Sequence, residues 1–435
     1  MNRSILKLSI PNIISNITIP LLGLVDMMLM GHLSSPVYIG AIALGGTIFS
    51  VLYSFFSFLR AGTTGFTAQA YGAKDLSEVS YTLYRSTIIA IIAFLLIICV
   101  QSPIAKLSMA LLDGSDEVKK LAITYFFVRI WAAPANMMLY CLNGWFIGMQ
   151  NTKIPMAIAI IINVLNIVFS IFFVVVLQQD VVGVALGTVI AQYCGLITAL
   201  IFIFTKYRRY LIKIDTHILL DINKLKRFFK VNSDLMIRSI LLVMTIAFFT
   251  NQSAILGDNI LSINMILLQF FYIFSYFTDG FAYAGEALVG KFIGARDEKN
   301  LRSVVMHLFK WGAYICVPFA ILYAIFPTPF VKMISDQPAI IEQIQPYYIY
   351  MVLIPIITFA AFLWDGIYIG ATASKAIRNT MIISSILVFL PMWYFLMPVY
   401  GNHGLWIAFL GFMLARGISM TFFAKKYILQ FPNIQ

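Results

Sequence analysis

NGWFIGMQNTK, residues 143–153, returns later in the chain as DGIYIGATASK, residues 365–375. YGAKD at 71–75 returns as IGARD at 293–297. Both blocks recur at one offset, 222 residues, and Gly183 and Gly404 follow at 221. Two glycine-containing blocks that share an offset mark an internal repeat, so the chain is built from two copies of one unit. The fold turns on what that unit is.

Composition supplies the answer. Of 435 residues, 61% are hydrophobic and only 11% charged, against roughly 25% charged in an ordinary soluble domain. A soluble chain could not hide that much apolar surface, so the bilayer must be the solvent. A spanning helix needs about 20 mostly apolar residues. Such runs fall at 9–30, 39–60, 86–105, 121–143, 154–177 and 181–205, and then at 233–256, 259–283, 304–326, 342–364, 379–399 and 402–424. The expected fold is an all-α integral membrane protein with twelve transmembrane helices in two six-helix bundles. Residues 1–205 form the first lobe, 206–230 a basic linker and 231–435 the second lobe. Six spans return the chain to the side it left, so the second lobe enters in the same orientation. The repeat is parallel, with a pseudo-two-fold axis along the membrane normal. Two such bundles around a cavity suit a transporter that rocks one lobe against the other.

Basic residues set the orientation. With a cytoplasmic N-terminus, 22 of the 30 lysines and arginines fall inside and 4 outside. That bias predicts that both termini and the 206–230 linker are cytoplasmic. It also accounts for the formal charge of +12 without nucleic acid. The linker, KYRRYLIKIDTHILLDINKLKRFFK, reads as an ordinary positive-inside connector in preference to an amphipathic helix lying on lipid. The N-terminal apolar run reads as a retained first span: it is long for a signal peptide and lacks a small-x-small cleavage site.

The polar residues inside the spans are the candidate chemistry. GLVDMMLMG at 23–31 places Asp26 among Leu24, Val25 and Met27 to Met30. An ionised Asp at a helix centre costs about 3 kcal/mol, and burial favours the neutral form of a carboxyl. Such a group can take a proton on one side and release it on the other, or hold Na⁺ if carbonyls and amides complete its shell. The plainer alternative is an acid near the outer end of the span that reaches headgroup water. Pro11 shares the helix and offers a hinge or a static kink. Asn163 and Asn166 lie on one face of span five, and Thr188 and Gln192 on one face of span six. They could face Asp26 or simply glue helices together. In the second lobe, Arg238 follows Asp234 by four residues, the spacing of a local ion pair, and Asp279 and Glu286 share a face. Arg238, Asp279 and Glu286 read first as a structural ion-paired cluster and second as another coupling site. Arg129, among apolar neighbours, is left open.

Other chemistries find no support. GEALVGKF at 285–292 resembles a phosphate loop, but Phe292 stands where Ser or Thr should hold magnesium, and no strand precedes it. There is no HExxH or GxSxG, the four histidines are scattered, and the four cysteines lie singly in apolar stretches. No enzyme, metal site or cofactor is expected.

PNIISNITIPLLGLVDMMLMGHL, AGTTGFTAQAYGAKD, TDGFAYAGEALVGKFIGARD and LWDGIYIGATASKAIRN together resemble the multidrug and toxic compound extrusion (MATE) family, in its DinF-like branch. The resemblance implies two six-helix lobes and export of organic, often cationic, compounds driven by inward H⁺ or Na⁺. It implies that Asp26 is the first-span coupling acid, Pro11 the bending proline, and Asn166 and Thr188 its partners. Ser170 stands where relatives often carry a second acid. Val243, Met244 and the region near Thr358 stand where sodium-coupled members carry acids. The expectation is a cation-coupled antiporter, with H⁺ favoured over Na⁺. It would export amphiphilic, cationic small molecules as a multi-pass monomer, with membrane lipids around it, in a bacterial cytoplasmic (inner) membrane. The alternative is a flippase for a lipid-linked precursor, which would need several intramembrane cations for the pyrophosphate.

Overall fold

The structure is a computed structural model. It describes the backbone of residues 1–31 and 37–429 and the side chains of 1–18 and 37–428. Regular structure among the described residues is helical throughout. The first rod is α1 (Asn2–Gly31). Then come α2 (Val37–Gly72), which is interrupted at Ser57, and α3 (Leu76–Cys99). The fourth, α4, runs over 116–148 with one tight turn at Ile130–Ala132. The first half closes with α5 (Lys153–Val176) and α6 (Val181–Lys206). The second half has α7 (Ile222–Ile255), α8 (Asp258–Gly294), α9 (Glu298–Ile325), α10 (Gln345–Gly370), α11 (Ser374–Tyr400) and α12 (Asn402–Ile428). Ten of these are long and apolar enough to cross a bilayer by length and composition among the described residues. With α1 and α4 the set is twelve.

Many hydroxyls in the rods are satisfied locally, as suits a lipid setting. Thr63, Thr188, Ser253, Thr278 and Thr358 each donate to the carbonyl four residues back.

The repeat is visible atom by atom. Lys74, Gln150, Arg296 and Thr372 all have positive φ, at 58°, 62°, 53° and 52°, and they pair at the offset seen in sequence. Each ends a rod in the same way. The next residue's N–H reaches back five positions: Asp75 to Ala70, Asn151 to Phe146, Asp297 to Phe292 and Ala373 to Tyr368, at 2.9–3.0 Å. These are left-handed helix caps that satisfy the terminal carbonyls. Asp75 and Asp297 then cap the following helix, accepting from the backbone N–H of Glu78 and Asn300.

The repeated glycines are contact points between rods. A Cβ on Gly144 would stand 2.4 Å from the Arg60 carbonyl oxygen, and one on Gly366 would stand 2.1 Å from that of Ala282. One turn on, Gly148 meets Thr64 and Thr67, and Gly370 meets the Glu286 backbone. The α2–α4 and α8–α10 pairs therefore touch backbone to backbone, at equivalent positions in the two halves.

The chain divides into two compact units, residues 14–228 and residues 1–13 with 229–435. In the first, Trp145 and Phe146 anchor an apolar core with Ile154, Ile158 and Ile203. In the second, Trp406, Phe249, Phe274 and Phe409 do the same. The N-terminal part of α1 packs on α8 here: a Cβ on Gly280 would lie 2.3 Å from Ile13 and 3.0 Å from the Ser9 carbonyl oxygen.

One boundary departs from the sequence expectation. The third span starts at Leu76, not near residue 86. Its first turns carry Glu78, Ser80, Tyr84 and Arg85, which read as loop. They are helical because Asp75 caps them and because the linker after α6 supplies their polar partners. The Tyr84 hydroxyl donates to Ile212 O (2.8 Å), and Arg85 donates to Ile218 O (2.8 Å) and Leu219 O (3.3 Å).

Candidate functional site

In residues 14–228 the polar centre lies between α5 and α6. Gly187 brings the two backbones together, since a Cβ there would sit 2.6 Å from Ser170 Oγ and 2.8 Å from Ser170 N. At that crossing Asn166 Nδ2 donates to Thr188 Oγ1 at 2.9 Å. The Thr188 hydroxyl donates to Val184 O at 3.0 Å. Ser170 Oγ lies 3.4 Å from Asn166 Oδ1, a long contact. Asn166 and Ser170 are fully buried and Thr188 is nearly so. One turn earlier, Asn163 Nδ2 donates to the Thr18 carbonyl at 3.3 Å, tying α5 to α1. Gln192 is half-buried on α6. Asp26 lies within the helical α1 backbone, but its side chain lies outside the described residues. Pro11 is buried in α1 between Ser9 and Ile13, where that helix meets α8.

Arg129, left open by the sequence, is held by aromatics. Its guanidinium donates to Tyr125 Oη at 2.6 Å and lies over the rings of Phe49 (4.8 Å) and Tyr125 (5.4 Å).

In the second unit the ion pairing differs from the spacing argument. Arg238 does not pair with Asp234 on its own helix. Asp234 accepts from Arg378 (2.6 Å) and Ser374 (2.8 Å) at the start of α11. Arg238 instead forms a close ion pair with Asp365 on α10. Asp365 also accepts from Arg416 on α12 at 2.6 Å. Arg416 is fully buried, and its nearest charges include Asp279 as well as Asp365. Glu286 is buried on α8. Sequence reasoning missed Asp365 and Arg416. The tenth span thus does carry an acid, two turns beyond Thr358 on the same face, and that acid is shared by two arginines. A signal was present: Asp365 opens the second copy of the repeat block, where the first copy has Asn143.

Among the described residues no group of three or more His, Cys, Asp or Glu side chains could hold a metal ion. The first unit thus gathers buried amides and hydroxyls at the α5–α6 crossing, and the second gathers one buried acid between two arginines.

Comparison with known proteins agrees with this architecture. The MatE family model matches the chain twice, over residues 11–172 and 235–395. The chain is 34% identical over 431 residues to DNA damage-inducible protein F of Escherichia coli K12, covering 98% of this chain and 92% of that protein. It is 22% identical to a probable multidrug resistance protein NorM of Thermotoga maritima, covering 97% and 92%. Among solved structures it resembles a MATE transporter crystallised in the bent conformation, with TM-score 0.87, 19% identity, and 98% and 95% covered. It also resembles the Vibrio cholerae MATE transporter VcmN in its bent form, with TM-score 0.87, 17% identity, and 99% and 97% covered. Twelve rods in two repeated halves, matched by one family model in each half and by a full-length relative, show that the chain belongs to the MatE family of multi-pass membrane transporters, in its DinF-like branch.

Proposed function

We propose that this transporter is a proton-coupled antiporter that exports amphiphilic, cationic organic molecules, with Asp26 as the proton carrier. The observation that carries the reading is the buried Asn166–Thr188–Ser170 cluster, polar but without charge, on helices tied to α1 by Asn163. α1 and α5 run the same way. Ser170 lies seven residues beyond Asn163, roughly 10 Å along the helix, and Asp26 lies eight beyond Thr18, roughly 12 Å. The cluster and the acid are therefore level. A protonated carboxyl needs one good acceptor, and Asn166 Oδ1, met only by a long contact from Ser170, supplies it. The cluster offers neutral oxygens only, and Asn166 Oδ1 and Thr188 Oγ1 each already receive one hydrogen bond; a proton on Asp26 needs a single acceptor, whereas a sodium ion needs several ligands. This favours H⁺ over Na⁺.

The second-lobe acid supports the same assignment by contrast. Asp365 is held by Arg238 and Arg416, so a cation would have to displace two guanidinium groups to reach it. The flippase alternative weakens for the same reason, since these two intramembrane cations are engaged with a carboxylate. The proposal also keeps both termini cytoplasmic, in a bacterial inner membrane, and the chain monomeric.

Dye-loaded proteoliposomes test the coupling. An inward pH gradient should drive efflux by the wild type, and Asp26→Asn should abolish the gradient-driven component while the folded protein remains. Thr188→Val should slow it. Normal efflux by Asp26→Asn under the same gradient, or efflux driven by Na⁺ alone, would overturn the assignment.

A further inference from the structure

We infer that the segment 206–228, which joins the two halves, is a docking strap for the anionic headgroups of the adjacent membrane leaflet. The inference concerns a surface away from Asp26 and stands whichever cation is coupled.

The strap is fixed at headgroup level. Side chains from the first turns of α3 hold its backbone: Ser80 to Tyr210 O, Tyr84 to Ile212 O and Arg85 to Ile218 O and Leu219 O. Tyr81 Oη accepts from the Asp215 N–H at 3.0 Å. Lys224 pairs with Glu78 at 2.7 Å. Helix side chains lean toward the N-terminus, so these groups act around the end of a span, where lipid headgroups lie. The strap cannot swing out into water without breaking them.

Its outer surface has two features that belong at that level. Ile214, Ile218, Leu220 and Ile222 are 53%, 38%, 58% and 66% exposed among the described residues. Lysine and arginine outnumber acids seven to two over 206–228. Both acids are occupied as helix caps: Asp215 Oδ1 accepts from His217 N and Asp221 Oδ1 from Asn223 N, each at 2.9 Å. The basic residues of the segment are exposed, and of them Lys224 is paired with Glu78. Aliphatic side chains interleaved with cations, at the end of a span, fit an anionic lipid interface. An acidic soluble partner would satisfy the charge but leave the aliphatic groups at headgroup depth unexplained.

Spin labels on the full chain test this. Leu220→Cys and Ile222→Cys, on a Cys99→Ser, Cys194→Ser background, are reconstituted in phosphatidylglycerol-rich or pure phosphatidylcholine vesicles. Collisions with oxygen and with a water-soluble nickel chelate are then compared with a reference label at Lys299→Cys. In anionic vesicles the strap labels should be several-fold better shielded from nickel than the reference and remain open to oxygen. Arg208→Gln/Arg209→Gln/Lys213→Gln should remove most of the difference between anionic and neutral vesicles, and retained dye efflux shows that this variant is folded. Nickel access equal to the reference would overturn the inference. So would shielding that persists in lipid-free detergent, which means a second copy or a protein partner. Shielding indifferent to lipid charge and to the triple substitution would also overturn it.

Discussion

Asp365 carries one negative charge and answers two positive ones. The Asp365–Arg416 contact is 2.6 Å, and Arg238 approaches the same oxygen from α7. Breaking a buried ion cluster by removing one partner strands the others without water, at a cost of about 3–5 kcal/mol. Asp365→Asn leaves two guanidinium groups facing an amide and should lower the thermal unfolding midpoint in detergent by that order. Arg238→Gln should cost less, because Arg416 still neutralises the acid. Equal midpoints for Asp365→Asn and the wild type would show that the cluster is not structural. The individual polar residues were legible in the sequence, since each interrupts an apolar run. Their partners were not. Spacing favours Asp234 for Arg238, yet Asp234 is occupied by Arg378 and Ser374, and Arg416 arrives from a different helix. Pairing between helices leaves no mark at short range.

At the scale of elements, the repeated blocks work through close approach. Gly366 meets the Ala282 carbonyl so nearly that an added methyl would stand 2.1 Å from it, whereas nothing lies within 4 Å of a Cβ on Gly46. Gly366→Ala must push α8 and α10 apart and should cost about 1–3 kcal/mol. Gly46→Ala should cost nothing measurable, and unfolding midpoints compare the two. Glycines four apart in the repeated blocks are a signal for close helix packing, but which rods they meet is given only by the structure. The start of α3 could not be anticipated, because the groups that satisfy Tyr84 and Arg85 come from the linker, more than a hundred residues later. The caps titrate. Hydrogen bonds from the Asn300 side chain and then from its backbone N–H hold Asp297 below the ordinary carboxylate range. Its folded value is depressed, so its contribution is full above about pH 4, the unfolded value, and is lost as pH falls through the folded one. Asp297→Ala should be less stable than the wild type at pH 7. The gap should close on acidification below pH 4, as followed by chemical denaturation across pH.

At the scale of the whole molecule, the parity of the spans fixes what lies on each side. In the proposed orientation, two sets of six spans return both termini and the linker to the cytoplasmic face. The basic residues crowd that face, 22 against 4. The proposed orientation rests on sequence alone, and it tolerates boundary errors because the positive-inside bias sums over the chain. The late placement of the third span did not disturb it: Lys74 and Arg85 stay on the inner side whether that span begins at residue 76 or 86. What composition could not supply is the asymmetry between the halves, which pair Asn143 with Asp365 and Asn16 with Arg238 at equivalent positions. The orientation is checked with single cysteines on a Cys99→Ser, Cys194→Ser background, which removes the exposed and half-exposed native thiols. Lys213→Cys on the strap should react with a membrane-impermeant maleimide only after the cells are permeabilised. Asp258→Cys, exposed at the start of α8, lies one span further along and should react in intact cells. The reverse pattern would invert the molecule in the membrane. Asp26, near the end of α1 far from the N-terminus, would then lie toward the cytoplasm, and the proposed loading of this acid by a proton from outside would have to be redrawn.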